Sequence, residues 1–368
     1  MVRTHGLGEV DRRSLVKAGG LIGVGALTAF SGCMGDDGDD DVDDVDDDEL
    51  PEVEMTFGHF GPPDIATHNH RVAVSFQRYM ERESNGKFTV DIAPAGELGG
   101  IPDVIEQISS GEVEAATGAE TFHLSPFYAD FNIAAMPFVY PNLSVANYVW
   151  DHGVGRKIRA GFREDMNIRI LAMHDNGFRS FHSSDTLQST DDFSGQRIRV
   201  IENEPMIELV EQLGASPEPV AWGELYEAFD TGLVDGGENA LPTFMMGSFE
   251  EVQNYWYDTQ HVIARQYMTA SEEWLNDLHP AYEKMVHEAG LWASIDARAL
   301  NRSTREWGFE YIQDEGMELT TLSADERDVL ADQTLEPVED VVRDSMDTPD
   351  LVDELYEDID TALEELGF

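Results

Sequence analysis

Arg199 is the side chain in this sequence whose type and placement most directly suggest chemistry. It sits in the run Arg197-Ile198-Arg199-Val200, where Ile198 and Val200 alternate with it. In a strand they would point to the opposite face, leaving Arg199 free to emerge at a cleft. A guanidinium there presents two parallel donors matched to a carboxylate, so the chemistry is recognition of an anion; a surface arginine paired with one of the many acids is the competing reading. His59, His68 and His70 invite a metal reading. No helix-spaced His-Glu-x-x-His accompanies them, which favours solvent-exposed histidines beside a loop and no metal. The sequence has no Gly-x-Ser-x-Gly elbow, no phosphate-binding Walker loop and no Gly-x-Gly-x-x-Gly beyond its first residues. An enzyme is therefore not expected, and no cofactor is called for.

The elements that must position Arg199 read as alternating strands and helices. Met55 to Phe60 and Phe88 to Ile92 alternate with period two around a helix from His68 to Glu83. A helix around Asp103 to Ser110 follows, with strands near Ile168 to His174, Arg197 to Ile201 and His261 to Ala264. This order implies an α/β fold with largely parallel pairing, and the second half calls for a second sheet. From about Ala281 to Gly316 apolar residues recur every three or four positions without a proline, the pattern of a long helix lying across more than one domain. Trp292 and Trp307 are expected in its core contacts. Gly223 to Asp230 reads as a capped helix with Leu225, Ala228 and Phe229 inward.

The chain has 368 residues and a formal net charge of −51, from 74 Asp and Glu against 23 Lys and Arg. With 41% apolar and 10% aromatic residues the body folds nonetheless, and the charge excludes nucleic acid as a partner. Only 4 of the 23 bases are lysine. Excess carboxylate and scarce lysine resemble proteins of salt-loving archaea, whose surfaces stay hydrated where the Debye length falls to about 3 Å at molar salt. A single cysteine excludes an internal disulfide framework or a thiolate zinc cage.

Residues 1–32 read as an address. Arg12 and Arg13 precede an uncharged run from Ala18 to Gly32, which resembles a twin-arginine export signal, and that run is short of the roughly 20 residues a membrane span needs. Cys33 follows small residues, resembling a lipobox in which it becomes the lipidated N-terminus. From Asp36 to Glu49 there are 11 acids in 14 residues, so residues 33–50 are expected to form a disordered acidic tether.

The stretch from Gly177 to Asn239 is the most specific. It holds Gly177-Phe178-Arg179, then Phe193-Ser194-Gly195-Gln196-Arg197-Ile198-Arg199-Val200, then Leu213-Gly214-Ala215-Ser216-Pro217. Trp222-Gly223-Glu224-Leu225-Tyr226 and Val234-Asp235-Gly236-Gly237-Glu238-Asn239 complete the series. With Ala95-Gly96-Glu97-Leu98-Gly99-Gly100 and Gln107 to Ala115, this order resembles the solute-binding subunit of TRAP (tripartite ATP-independent periplasmic) transporters, of the DctP-like type, from about Val53 to the C-terminus.

The resemblance implies an α/β, two-domain periplasmic-binding-protein-like fold of class II type, with a hinge and long domain-spanning C-terminal helices. Domain I would hold residues 53–175 and about 264–305. Domain II would hold 176–263 and about 306–368. The implied function is capture of a small organic acid (dicarboxylate, keto, hydroxy or sugar acid) by domain closure, outside the membrane, with delivery to small and large TRAP membrane subunits; a receptor for another importer or sensor is the alternative. Arg199 matches the family arginine that holds the ligand carboxylate, Arg179 a second family arginine, and Asn239 a ligand-contacting asparagine. Glu238 is expected to pack structurally. Trp222 matches an aromatic wall position, a core role being equally compatible, while Glu120 and Phe60 are expected to reach the cleft from domain I. Glu120 would repel a second ligand carboxylate unless Arg179 balances it.

Overall fold

A computed structural model describes residues 50–368. Arg12, Arg13, Cys33 and the acidic stretch to Glu49, and with them the expected signal, lipidation site and tether, lie outside the described residues. Leu50 belongs to the body instead of the tether: it is buried in the core of the amino-terminal lobe, and Pro51 accepts a hydrogen bond from Tyr282 at 2.7 Å.

The amino-terminal third follows the expected β-α-β order. Strand β1 (Val53–His59), helix α1 (His68–Glu83), strand β2 (Phe88–Ala93), helix α2 (Ile101–Ser110) and strand β3 (Ala115–Glu120) form a unit in which β1 pairs in parallel with both β2 and β3. Helix α1 buries Val72, Ala73, Phe76 and Met80, spaced three and four apart, and Phe76 meets Phe57 of β1 at 5.2 Å between ring centroids. Helices α3 (Thr121–Leu124), α4 (Leu143–His152) and α5 (Val154–Met166) then lead into strand β4 (Ile168–Ser183). Strand β5 (Arg197–Val200), helix α6 (Glu204–Gln212), strand β6 (Ser216–Pro219), helix α7 (Leu225–Asp230) and strand β7 (Gly236–Ala240) build the second lobe, again with parallel pairs β5–β6 and β5–β7. Leu225, Ala228 and Phe229 face inward, as the sequence pattern requires.

The rest of the chain ties the lobes together. Helix α8 (Leu241–Met246), strand β8 (Tyr255–Ser271), helices α9 (Glu272–Asp277) and α10 (Pro280–Asp314), strand β9 (Glu318–Thr321) and helices α11 (Ala324–Ser345) and α12 (Leu351–Leu366) complete it. The expectation of two separate, largely parallel sheets is corrected here. One nine-stranded mixed sheet runs β2-β1-β3-β8-β4-β7-β5-β6, with β9 on β8. β4 and β8 have 16 and 17 residues, far longer than the segments read as strands, and pair antiparallel with each other through three register shifts. At about 3.3 Å per residue each spans roughly 50 Å, enough to serve both lobes. The sequence masked this length because Gly177, Arg179 and His182 interrupt an apolar alternation, yet all three are buried inside the molecule.

Helix α10 has 35 residues and packs on α1, β4 and α8. Its small residues permit close approach: a Cβ on Gly290 would already lie 3.4 Å from that of Leu171 on β4. Arg71 of α1 holds Asp296 with two hydrogen bonds, at 2.7 and 3.0 Å. Trp292 and Trp307, expected in the core, are instead 59% and 46% exposed. They fall beside the stripe of Ala289, Ala293 and Ala297 that faces the sheet, and a helix buries one stripe only.

Candidate ligand-binding site

The strands of each lobe end at a shared crevice. In open α/β sheets ligands bind beyond the carboxyl ends of the strands, and a cavity of about 1150 Å³ lies there. Its walls come from the loops after β1, β2 and β3 on one side and from those after β5 and β6 on the other.

Arg199 reaches this cavity from β5. Ile198 and Val200 are fully buried beside it, and Arg199 as a residue is 2% exposed. Its Nε donates to the carbonyl of Val220 at 2.9 Å. Among the described residues neither terminal nitrogen has a hydrogen-bond partner, and no carboxylate lies within ion-pair distance. Burial pulls the guanidinium down to about 10, with Glu238 and Glu120 opposing and Arg179 adding to the effect, so it stays charged at neutral pH. It is a desolvated cation with free donors facing an open space.

Arg179, on β4, is the opposite case. Its Nη1 donates to Glu120, its Nε to Glu238, and its Nη2 to the Glu238 carboxylate and backbone carbonyl, both at 2.7 Å. The ring of Phe122 lies 5.5 Å from the guanidinium carbon. Burial alone would raise the Glu238 carboxyl, but the charge of Arg179 overrides it and holds the group at about 2. Glu120 is raised, burial outweighing Arg179. Every nitrogen of the Arg179 guanidinium is therefore committed, and the residue stands behind the cavity wall and not on it. Arg179 does balance Glu120, the condition under which that carboxylate can sit beside an anion site.

Asn239 is also placed behind the wall. It lies in β7, 2% exposed, 3.2 Å from Nε2 of His182, whose Nδ1 is 2.8 Å from Gln253. Neither Arg179 nor Asn239, both expected to touch the ligand, is among the residues lining the cavity. Phe60 and Trp222 do line it, and they join the lobes across it: Trp222 Nε1 donates to the Phe60 carbonyl at 3.2 Å. Trp222 also packs on Phe249 at 5.6 Å, so its wall and core roles coexist. Glu120 faces a small recess of about 20 Å³ behind these two residues.

The histidines near β1 are corrected too. His59 and His68 are buried, not solvent-exposed, with His59 Nε2 3.0 Å from His70 Nδ1 and burial holding His59 at about 4. No group of three or more metal-ligating side chains occurs among the described residues. Sequence reading missed His123, Phe122 and Phe127 after β3, and Ile201 and Ile207 after β5. His123 Nδ1 accepts from the backbone of Glu120 at 3.0 Å, and burial, then Arg199 and Arg179, lower it to about 3. Position just past the carboxyl ends of parallel strands was the available signal for all five.

A profile of the protein family described as "Bacterial extracellular solute-binding protein, family 7", DctP, matches residues 57–344. A solute-binding protein of Chromohalobacter salexigens is 25% identical over 252 residues, 68% of this chain and 74% of that one. The C4-dicarboxylate-binding periplasmic protein DctP of Rhodobacter capsulatus is 25% identical over 290 residues, covering 78% and 86%. Among solved structures, the sugar acid binding protein DctPAm of Advenella mimigardefordensis, in complex with galactonate, superposes with a TM-score of 0.79 at 24% identity, covering 85% of this chain and 99% of that one. A periplasmic solute-binding protein of Bordetella, with density interpreted as pantoate, gives 0.76 at 26% identity, covering 83% and 98%. The fold is thus the two-domain, class II-like α/β architecture of TRAP solute-binding proteins. This chain belongs to the DctP family of extracellular solute-binding proteins.

Proposed function

We propose that the protein is the extracytoplasmic receptor of a TRAP-type transporter, capturing a small organic acid whose carboxylate binds Arg199. The observation that carries this reading is the contrast between two buried arginines: Arg179 has every nitrogen committed, whereas Arg199 keeps both terminal nitrogens free at a cavity between the lobes. A cation withdrawn from water and left without an acid is costly, and an anionic ligand would supply the missing partner. Closure of the lobes on β4, β8 and α10 would exclude water and strengthen that contact. Domain I then comprises 53–175 and about 264–305, and domain II 176–263 and about 306–368. The solved relatives named above carry galactonate and pantoate, both acids.

The partners in this reading are small and large membrane subunits that recognise the closed form. Among the described residues no helix is long and apolar enough to cross a membrane. Anchoring would come from lipidated Cys33 after export through the Arg12-Arg13 signal, and the −51 charge with four lysines fits a haloarchaeal source. Arg199→Ala in a calorimetric titration against small carboxylates tests the core of the proposal. Binding is expected to weaken at least about 100-fold, as for loss of a charge-assisted bidentate contact, with the fold intact. Unchanged affinity would refute the site.

A further inference from the structure

The walls of the cavity narrow which acids fit. Among the described residues lining it, Arg199 is the one cationic side chain. His123 is neutral: its Nδ1 accepts a hydrogen bond from the Glu120 amide, so the ring proton is on Nε2. Two exposed acids, Glu202 and Glu204, border the same space. A second carboxylate on the ligand would find no cation to meet it and two like charges nearby.

Polar recognition beyond Arg199 is also sparse. Both amide hydrogens of Asn203 are taken, by Ser125 Oγ at 3.0 Å and Asn132 Oδ1 at 2.7 Å, and its own Oδ1 accepts from Met206. The recess that holds Glu120, Asn69 and Gln266 measures about 20 Å³, room for a water and not for a ring of hydroxyls, and Phe60 and Trp222 stand in front of it. The remaining side chains of the wall are apolar, among them Phe60, Phe122, Phe127, Ile201, Ile207 and the face of Trp222. A hydroxyl placed against these groups would lose its water without gaining a partner.

Resting on the receptor reading, we propose that the ligand is a monocarboxylate with an apolar body, aryl or branched alkyl, and not a dicarboxylate or a polyhydroxylated acid. Its carboxylate takes the free donors of Arg199, His123 Nε2 offers one further donor, and the body lies against the aromatic wall. The selectivity arises from burial of the ligand's carbon surface on closure, together with the absence of a second cation.

The experiment is isothermal titration of the full chain, in the salt that keeps it folded, with 3-phenylpropanoate, 4-methylpentanoate, succinate and galactonate. Both apolar monocarboxylates are expected to bind at least about tenfold tighter than the other two, with a negative heat-capacity change and with loss of binding in Arg199→Ala. Tighter binding of succinate or galactonate that still requires Arg199 would overturn the apolar selectivity and leave the receptor standing. Binding of none of the four would overturn the apolar selectivity, and binding indifferent to Arg199→Ala would overturn both.

Discussion

Replacing Arg179 with alanine separates a structural arginine from a ligand-holding one. The side chain is fully buried and neutralises two carboxylates, Glu120 and Glu238, that have almost no exposure of their own to fall back on. Removing one partner of a buried ion pair costs about 3–5 kcal/mol because the surviving charge is left desolvated. At about 2.1 cal/mol/K of unfolding entropy per residue, a body of about 320 residues shifts by roughly 1.5 °C per kcal/mol, so the melting temperature should fall by roughly 5–8 °C. The loss should depend on pH in a defined sense. Without Arg179 the carboxyls of Glu120 and Glu238 would have folded pKa values above those of the unfolded chain, so the variant recovers stability as pH falls and they take up protons. Arg199→Ala is the control. That guanidinium carries one hydrogen bond to a backbone carbonyl and no acid, so its removal should change stability by under about 1 kcal/mol while abolishing ligand binding. Scanning calorimetry and ligand titration on both variants decide the matter. If Arg179→Ala melts with the wild type yet loses ligand as Arg199→Ala does, Arg179 belongs to the ligand contact and the argument from committed nitrogens is wrong.

Two further outcomes follow from burial. His59, His123, His174 and His182 are held at about 4, 3, 4 and 4, in each case first by burial, so the unfolded chain binds protons near pH 6.5 that the folded chain refuses. Their contribution is complete above pH 6.5 and is lost as pH falls toward 4, at about 1.4 kcal/mol per histidine per pH unit; denaturant titrations at pH 7.5 and 5.5 should differ by several kcal/mol, and equal midpoints would contradict the neutral burial. Gly118 of β3 has φ +109, and a Cβ there would stand 2.7 Å from Asn69 Nδ2 and 3.1 Å from Phe60. Gly118→Ala should destabilise by about 1–3 kcal/mol and displace Phe60 from the cavity wall, which thermal unfolding and Trp222 fluorescence would report; a neutral substitution would show that the strand is not strained there.

Local pattern alone makes the separate elements, and the chemistry of one side chain, readable. Helix α1 was legible to its ends and α10 almost so, because 3.6-residue periodicity over 16 or 35 residues is a strong local signal. Arg199 was legible because its neighbours Ile198 and Val200 fix which face it takes, a matter of strand period alone. The full lengths of β4 and β8 were not, nor the single sheet they create. A glycine, an arginine and a histidine in β4 look like a loop until Glu238 and Glu120 arrive from β7 and β3 to pair with Arg179, each 59 positions away in the chain, and Asn239 and Gln253 meet His182. The exposure of Trp292 and Trp307 was decided the same way, by which stripe of α10 met the sheet. Above all, Arg179 and Arg199 are alike in sequence, each set in a run of mixed polar and apolar residues. Only the tertiary structure distributes the acids between them, giving two carboxylates to one arginine and none to the other, because ion pairing inside a protein depends on distances that local sequence does not set.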